Sequence, residues 1–118
     1  MPYDLEERTA RFAENVLILV KKIHKDTIND VIVRQLVRSA TSIGANYAEA
    51  DGAESKRDFS HKISICKKES KETKHWLRMF MKVNPEYLRD CQTLSSEVSE
   101  LILIFGAILR SSRVSSRM

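Results

Sequence analysis

The sequence predicts an all-α protein that folds as an antiparallel up-down-up-down four-helix bundle. The 118 residues include only three Gly and two Pro, too few to punctuate the turns of an all-β fold. Apolar residues also recur at steps of three and four, the period of amphipathic helices, in successive segments with short connections between them. A chain of this length forms one domain and needs no disulfide or metal to fold.

The first helix is predicted from an apolar stripe near the N-terminus, made of Leu5, Thr9, Phe12, Val16, Leu19 and Ile23. Lysines near the end of this stripe suit the C-terminus of a helix, where positive charge is favoured. A second helix is predicted from about Ile28 to Asp51, with Asp26 or Thr27 as its N-terminal cap and Gly52 as its stop.

The third helix is predicted to begin after Ser55, which together with Asp58 resembles a capping box, and to end near Asn84. At 100° per residue, one face of this helix gathers the residues expected in the core. They are Phe59, Ile63, Cys66, Thr73, Leu77 and Met81.

A fourth helix is predicted over residues 85–110 from the stripe Leu88, Cys91, Leu94, Val98, Leu101, Phe105 and Ile108. The bundle domain is therefore expected to span residues 1–110. The basic segment over residues 111–118 has no periodicity and is expected to be a disordered tail.

The net charge of +4 is concentrated in residues 56–82, which hold nine Lys/Arg residues against three acidic ones. Six of these cations share one face of the predicted third helix, and we call them the basic stripe: Lys56, Lys67, Lys71, Lys74, Arg78 and Lys82. The stripe is either a solvated face or a surface for an anionic partner. No acid offsets its like charges four residues apart, which argues for a partner.

A further arc of the same helix is apolar with acids at its rim: Ile65, Trp76, Met79, Phe80, Glu69 and Glu72. Either the core face is wide, or this arc contacts another subunit. Aromatic and Met residues with charges around them favour a subunit contact. We therefore expect a homo-oligomer.

The second helix carries a polar stripe made of Gln35, Ser39, Ser42, Asn46 and Glu49. It could form a groove for a ligand, or a hydrogen-bonded network between helices or subunits. The network is favoured because buried polar groups must find partners and the spacing contains no catalytic pair.

No pattern typical of catalysis occurs, since HExxH, a Gly-rich phosphate loop and a Ser/His/Asp combination are all missing. Glu69 and Glu72 could touch a metal, but without an ExxH motif a salt bridge to Lys62 or Lys68 is the expected role. The sequence therefore predicts no enzyme activity, no metal and no cofactor.

Cys66 and Cys91 fit no metal-ligand spacing and are expected to be reduced thiols that pack as small apolar groups. The N-terminus has no secretory signal, and the apolar run over residues 101–109 is about half the ~20 residues of a membrane span. We expect a cytoplasmic protein without a membrane partner.

The segment over residues 35–50, QLVRSATSIGANYAEA, resembles the four-helix-bundle proteins encoded in intervening sequences of bacterial 23S rRNA genes. The match continues at Ser55, Asp58-Phe59, Lys62, Ile65, Lys68-Glu69, Glu72-Thr73 and Trp76-Leu77, whereas the outer helices match only in pattern. Ala50 stands where many members carry Gly, and Lys68-Glu69 where Gly-Ser is frequent. The chain therefore looks like the branch of the family that carries Lys-Glu at these two positions.

The resemblance implies a bundle that assembles as a homopentamer, with an unsettled biological role and no established catalytic or binding residues. A related group, the accessory variability determinants of diversity-generating retroelements, is also pentameric and basic. Members of that group partner a reverse transcriptase and nucleic acid.

Our leading hypothesis is a non-enzymatic oligomeric module whose basic stripe binds RNA or another nucleic acid, to which Arg110, Arg113 and Arg117 could add. The mechanism would be phosphate neutralisation, because no aromatic residue interrupts the stripe to stack on bases. The alternative is a protein–protein adaptor whose basic face docks an acidic partner, such as a nucleic-acid enzyme of the reverse-transcriptase type.

Overall fold

The computed structural model describes residues 4–117, with side chains as far as residue 112. Its elements are α1 (Leu5–Val20), α2 (Thr27–Asp51), α3 (Lys56–Val83), a 3₁₀ turn (Pro85–Tyr87) and α4 (Leu88–Arg117). Each helix packs on the next along the chain, and α1 also contacts α4. The predicted four-helix bundle is confirmed, and its short connections make consecutive helices antiparallel.

The helix caps lie where the sequence predicts them. The Asp26 carboxylate accepts a hydrogen bond from the Asn29 amide at 2.8 Å, and the Ser55 hydroxyl accepts one from the Asp58 amide at 3.0 Å. Gly52 ends α2 and Asn84 ends α3. The side chains of Asp26 and Ser55 satisfy backbone N–H groups that have no partner at the start of a helix, so α2 and α3 begin at fixed residues.

The predicted core faces are mostly confirmed. Leu5, Thr9, Phe12, Val16 and Leu19 of α1 are buried, whereas Ile23 lies beyond the end of that helix and is only partly buried. On α3 the buried set is Ile63, Cys66, Ser70, Thr73, Leu77 and Phe80. Phe59 and Met81, which the sequence places in the core, are partly covered at its edge.

Helices α1 and α2 approach closely at Gly44. A Cβ atom at this position would lie 3.1 Å from the Thr9 hydroxyl oxygen, which is tighter than ordinary van der Waals contact. The Thr9 hydroxyl is itself held by a 2.7 Å hydrogen bond to the Leu5 carbonyl. Gly44 therefore allows α1 to lie directly on the backbone of α2.

The contact between α1 and α4, which we call the α1–α4 seam, contains a cluster of ion pairs. The Arg8 guanidinium donates two hydrogen bonds to the Glu97 carboxylate, at 2.9 and 2.8 Å, and also pairs with Glu100 at 3.1 Å. This bidentate Arg–carboxylate geometry is among the stronger forms of ion pair. It joins α1 to α4 where the backbones of the two helices approach each other less than those of other neighbouring helices do.

The segment Pro85–Ser112 is long and apolar enough to match a membrane span by length and composition. Its apolar residues nevertheless supply much of the core: Cys91, Leu94, Val98, Leu101, Ile104, Phe105 and Leu109 are buried. This is the pattern of an amphipathic helix that buries one face in the core of a bundle.

Helix α4 continues to Arg117, so its predicted end at Arg110 is too early. The side chains of residues 113–117 and the whole of residue 118 lie outside the described part of the chain. The disordered tail expected over residues 111–118 therefore stays a prediction.

Candidate nucleic-acid interface

The basic stripe lies along the outer surface of α3. Five of its six side chains are exposed, and Lys67 is partly buried. Among the side chains of residues 4–112, the cations that form ion pairs are Arg8, Arg11, Arg38 and Lys62. No stripe member is among them. The stripe is thus a row of positive charges without carboxylate partners from the described side chains.

An open groove of about 690 Å³ separates part of this stripe from α4. Lys74 and Met81 line it on the α3 side. The α4 side carries small polar groups, one apolar side chain and one acid: Gln92, Ser95, Ser96, Ser99, Leu103 and Glu100. Glu100 pairs with Arg8, which offsets its charge. The groove thus has one cation, Lys74, on its α3 wall and several hydroxyl groups on its α4 wall.

This α4 wall is missing from the sequence prediction. At 100° per residue, Gln92, Ser96, Ser99 and Leu103 share one face of α4, so their spacing was available as a signal. The spacing alone does not say which neighbouring helix that face meets. Only the packing of α4 beside α3 makes it the second wall of the groove.

Farther along α4, Gly106 brings two cations together. A Cβ atom at Gly106 would lie 3.4 Å from a guanidinium nitrogen of Arg110 and 3.7 Å from the Lys67 ammonium nitrogen. The basic stripe of α3 therefore reaches α4 at this point, where Arg110 adds a positive charge to it.

The acidic rim residues of the apolar arc have a partner that the sequence prediction missed. Arg38 on α2 pairs with Glu69 at 3.4 Å and with Glu72. The expected partners were Lys62 and Lys68, but Lys62 instead pairs with Glu49 at 3.5 Å. Glu69 and Glu72 thus bind α3 to α2 within one chain.

Phe80 does not belong to an outer arc, because it is fully buried in the core of the chain. Its side chain points to the same interior as Leu77, and the sequence assignment of Phe80 to a subunit contact is wrong. Trp76 and Met79 are partly buried and pack against the core. The Trp76 indole donates a 3.4 Å hydrogen bond to Glu72, and its ring forms a T-shaped contact with the His75 ring.

Exposed apolar side chains extend this arc onto α2. Ile28 and Val31 are 62% and 55% exposed, and Val83 on α3 is 41% exposed. Val31 lies two turns before Arg38 on the same side of α2, and Val83 lies two turns after Trp76 on α3. The outer α2–α3 surface therefore has an apolar end, which we call the α2–α3 apolar patch: Ile28, Val31, Trp76, Met79 and Val83.

The polar stripe of α2 makes hydrogen bonds within the chain. The Ser39 hydroxyl is buried and donates to the Leu36 carbonyl, and the Asn46 amide donates to the Ser42 carbonyl and hydroxyl at 2.9 and 3.0 Å. Gln35 accepts from Arg38, and Glu49 pairs with Lys62. These hydrogen bonds lie within α2, and among the described side chains only the Glu49–Lys62 ion pair links the stripe to another helix. The network between helices or subunits therefore stays a prediction.

Both cysteines are free and buried. Burial raises the pKa of the Cys66 thiol to about 12 and that of Cys91 to about 11. Such thiols remain protonated at neutral pH, which makes them poor nucleophiles and poor metal ligands. Among the described side chains, no three His, Cys, Asp or Glu residues converge to hold a metal ion.

The model of a family described as 23S rRNA-intervening sequence protein matches residues 3–106. A solved structure is also similar: a protein of unknown function from the S23 ribosomal protein family of Bacteroides thetaiotaomicron. The two chains are 27% identical with a TM-score of 0.78, and the match covers 88% of this chain and 96% of the other. Comparison with curated protein sequences gives no match.

Proposed function

The chain belongs to the 23S rRNA-intervening sequence protein family, and from this premise we propose that it is a non-enzymatic, oligomeric module that binds RNA or another nucleic acid. The binding surface is the basic stripe of α3 together with the groove beside it. A cytoplasmic location is part of the proposal.

One observation carries the proposal: the six stripe cations lack carboxylate partners among the described side chains. Like charges three and four residues apart destabilise a helix, and a polyanion would remove that cost. From Lys56 to Lys82 the stripe runs about 39 Å at 1.5 Å per residue. A backbone strand with a charged group every ~3.4 Å of helix rise can contact several of these cations at once.

The contact would involve the backbone of the nucleic acid rather than its bases. No aromatic residue lies within the stripe to stack on bases. Five of the six stripe cations are Lys, whose ammonium group acts as a point charge toward phosphate. Phosphate neutralisation with release of counterions then supplies the binding free energy. Binding should accordingly be insensitive to sequence and strongly weakened by salt.

Assembly would use the α2–α3 apolar patch against another copy of the chain. A partly exposed apolar cluster that includes a Trp is typical of interfaces. The patch lies on the α2 side of α3, whereas the stripe lies on the α4 side. An oligomer formed this way would leave the stripes of its subunits exposed for a shared polyanion.

An acidic protein is the alternative partner. Leu103 is 72% exposed in the α4 wall of the groove that Lys74 lines from α3. An apolar side chain at that position suits a protein surface better than a phosphate backbone. In that case the chain would be an adaptor that docks an acidic protein, such as a nucleic-acid enzyme.

The test is the binding of a short fluorescent single-stranded RNA, measured by anisotropy across a series of salt concentrations. A linear fall of log affinity with log salt would support the proposal. The freshly purified protein should also retain nucleic acid, seen in its ultraviolet absorbance, and lose it in a salt wash. Failure to bind the RNA at about 50 mM salt, where such contacts are strong, would reject nucleic-acid binding.

A further inference from the structure

Helix α4 has no side chain at Gly106, where it faces α3. Side chains on a helix point back toward its N-terminus, so Arg110, one turn later, lies over Gly106. Lys67 reaches the same place from α3. The absence of a side chain at Gly106 is what lets two long cationic side chains from different helices come together.

The two charges are close. Their nitrogens lie 3.4 and 3.7 Å from the same point, so they are no more than about 7 Å apart, a distance at which like charges repel. Neither Lys67 nor Arg110 forms an ion pair with a described side chain. Two uncompensated cations at this spacing can both donate to the oxygens of one tetrahedral anion placed between them.

We propose that Lys67 and Arg110 form a clamp over Gly106 that binds one phosphodiester group of an RNA backbone. The inference rests on the proposed function and adds a defined contact to it. It also places the strand in the groove between α3 and α4, rather than anywhere along the stripe.

The groove supports this placement because its walls continue from the clamp. On α4, the face that includes Gly106 and Arg110 also carries Ser99 and Ser96 at earlier turns. Lys74 faces that hydroxyl wall from α3. A strand held at the clamp would meet further hydroxyl donors and a further cation along the same path. Hydroxyl and cationic donors are the groups that bind phosphate and sugar oxygens.

A double-mutant cycle tests whether one phosphate is shared. Lys67→Gln and Arg110→Gln should each weaken binding of the short fluorescent RNA about tenfold, as expected for loss of a charge-assisted contact. The double variant should be little weaker than either single variant, because one cation alone no longer clamps the phosphate. Lys25→Gln, the same charge change in the α1–α2 connection, is the control and should stay within about twofold.

Substitution of Gly106 tests the geometry without changing charge. A side chain at this position should displace the two cations. The affinity for RNA should therefore fall slightly in Gly106→Ala. In Gly106→Leu it should fall about as far as in Arg110→Gln. Circular dichroism shows whether each variant keeps its helices. If Gly106→Leu fails to fold, the double-mutant cycle decides alone.

Additive effects of Lys67→Gln and Arg110→Gln would overturn the clamp, since independent charges add. A folded Gly106→Leu variant with unchanged affinity would overturn it as well. In both cases RNA binding by the native protein would still stand. Absence of RNA binding by the native protein would instead overturn the proposed function, and the clamp with it.

Discussion

The side chains of Asn29 and Asn84 form a buried amide pair between the start of α2 and the end of α3. The Asn84 amide nitrogen donates to the Asn29 side-chain oxygen at 2.8 Å and to the Phe80 carbonyl at 3.2 Å. Asn29 in turn donates to the His24 carbonyl at 2.9 Å. One pair thus connects three chain segments at the same end of the bundle.

Replacing Asn84 by Ala should destabilise the protein. The change leaves the buried side-chain oxygen of Asn29 without the Asn84 donor, and an unsatisfied buried polar group costs ~1–3 kcal/mol. Urea unfolding followed by circular dichroism measures the free energy of unfolding. Asn15→Ala, an exposed site on α1, is the control and should change that free energy by less than ~0.5 kcal/mol. Equal effects of the two substitutions would contradict a stabilising role for the pair.

Reversing three stripe charges should abolish binding of nucleic acid. The triple variant Lys67→Glu, Lys71→Glu and Lys74→Glu is expected to lower RNA affinity at least ~100-fold and to reduce the salt dependence of what remains. The exposed stripe should allow the helical signal to persist. A matched reversal of Lys21, Lys22 and Lys25 controls for net charge. The stripe is not the binding site if the first triple variant binds RNA as well as the second.

Assembly should be visible in the mass of the native protein. Light scattering is expected to give several times the subunit mass of 13.6 kDa, and fivefold if the pentamer implied by the family resemblance holds. Trp76→Ala should lower the mass by removing the largest anchor of the apolar patch. Because Trp76 also packs against the core, Val31→Asp is the cleaner test, since Val31 is mostly exposed.

Leu103→Asp is the control for assembly, because Leu103 is exposed but lies on α4 outside the apolar patch. It should keep the oligomer. A native protein that remains monomeric at micromolar concentration would contradict assembly altogether. An oligomer that survives both Val31→Asp and Trp76→Ala would place the subunit contact on another face.

The two thiols should ionise only on unfolding. Burial raises the pKa of Cys66 to about 12 and that of Cys91 to about 11, from an ordinary value of 9.0. Because the unfolded chain loses these protons first, their contribution to stability should fall as pH rises above about 9. Titration of the native and urea-unfolded protein by thiolate absorbance measures this difference. Ionisation of the native thiols near pH 9 would contradict it.

Local rules were sufficient for most of the fold. The period of apolar residues identifies most of the core face of each helix, although Leu88, the first residue of the stripe predicted for α4, is 47% exposed. Single residues such as Asp26 and Ser55 mark where α2 and α3 begin. Phe80 was misassigned because a helical wheel gives an angle without the width of the buried sector. Where a neighbouring helix covers more of the surface, a residue at the sector's edge is buried.

The candidate site was only half predictable. The basic stripe is a property of one helix, so spacing reveals it. The Lys67–Arg110 cluster and the hydroxyl wall depend on which face of α4 lies beside α3, and no local pattern encodes that choice. The same holds for Arg38, whose acidic partners on α3 lie more than thirty residues away in the chain.

The uneven attachment of α1 has a consequence for motion. On one side α1 lies close against α2 at Gly44, but its backbone approaches α4 less, and the ion pairs of Arg8 that join the two helices are partly exposed to solvent. Backbone amides of α1 should therefore exchange their hydrogens sooner than those in the middle of α3, by local opening rather than global unfolding. Salt should speed that exchange, because it screens the ion pairs that close the α1–α4 seam.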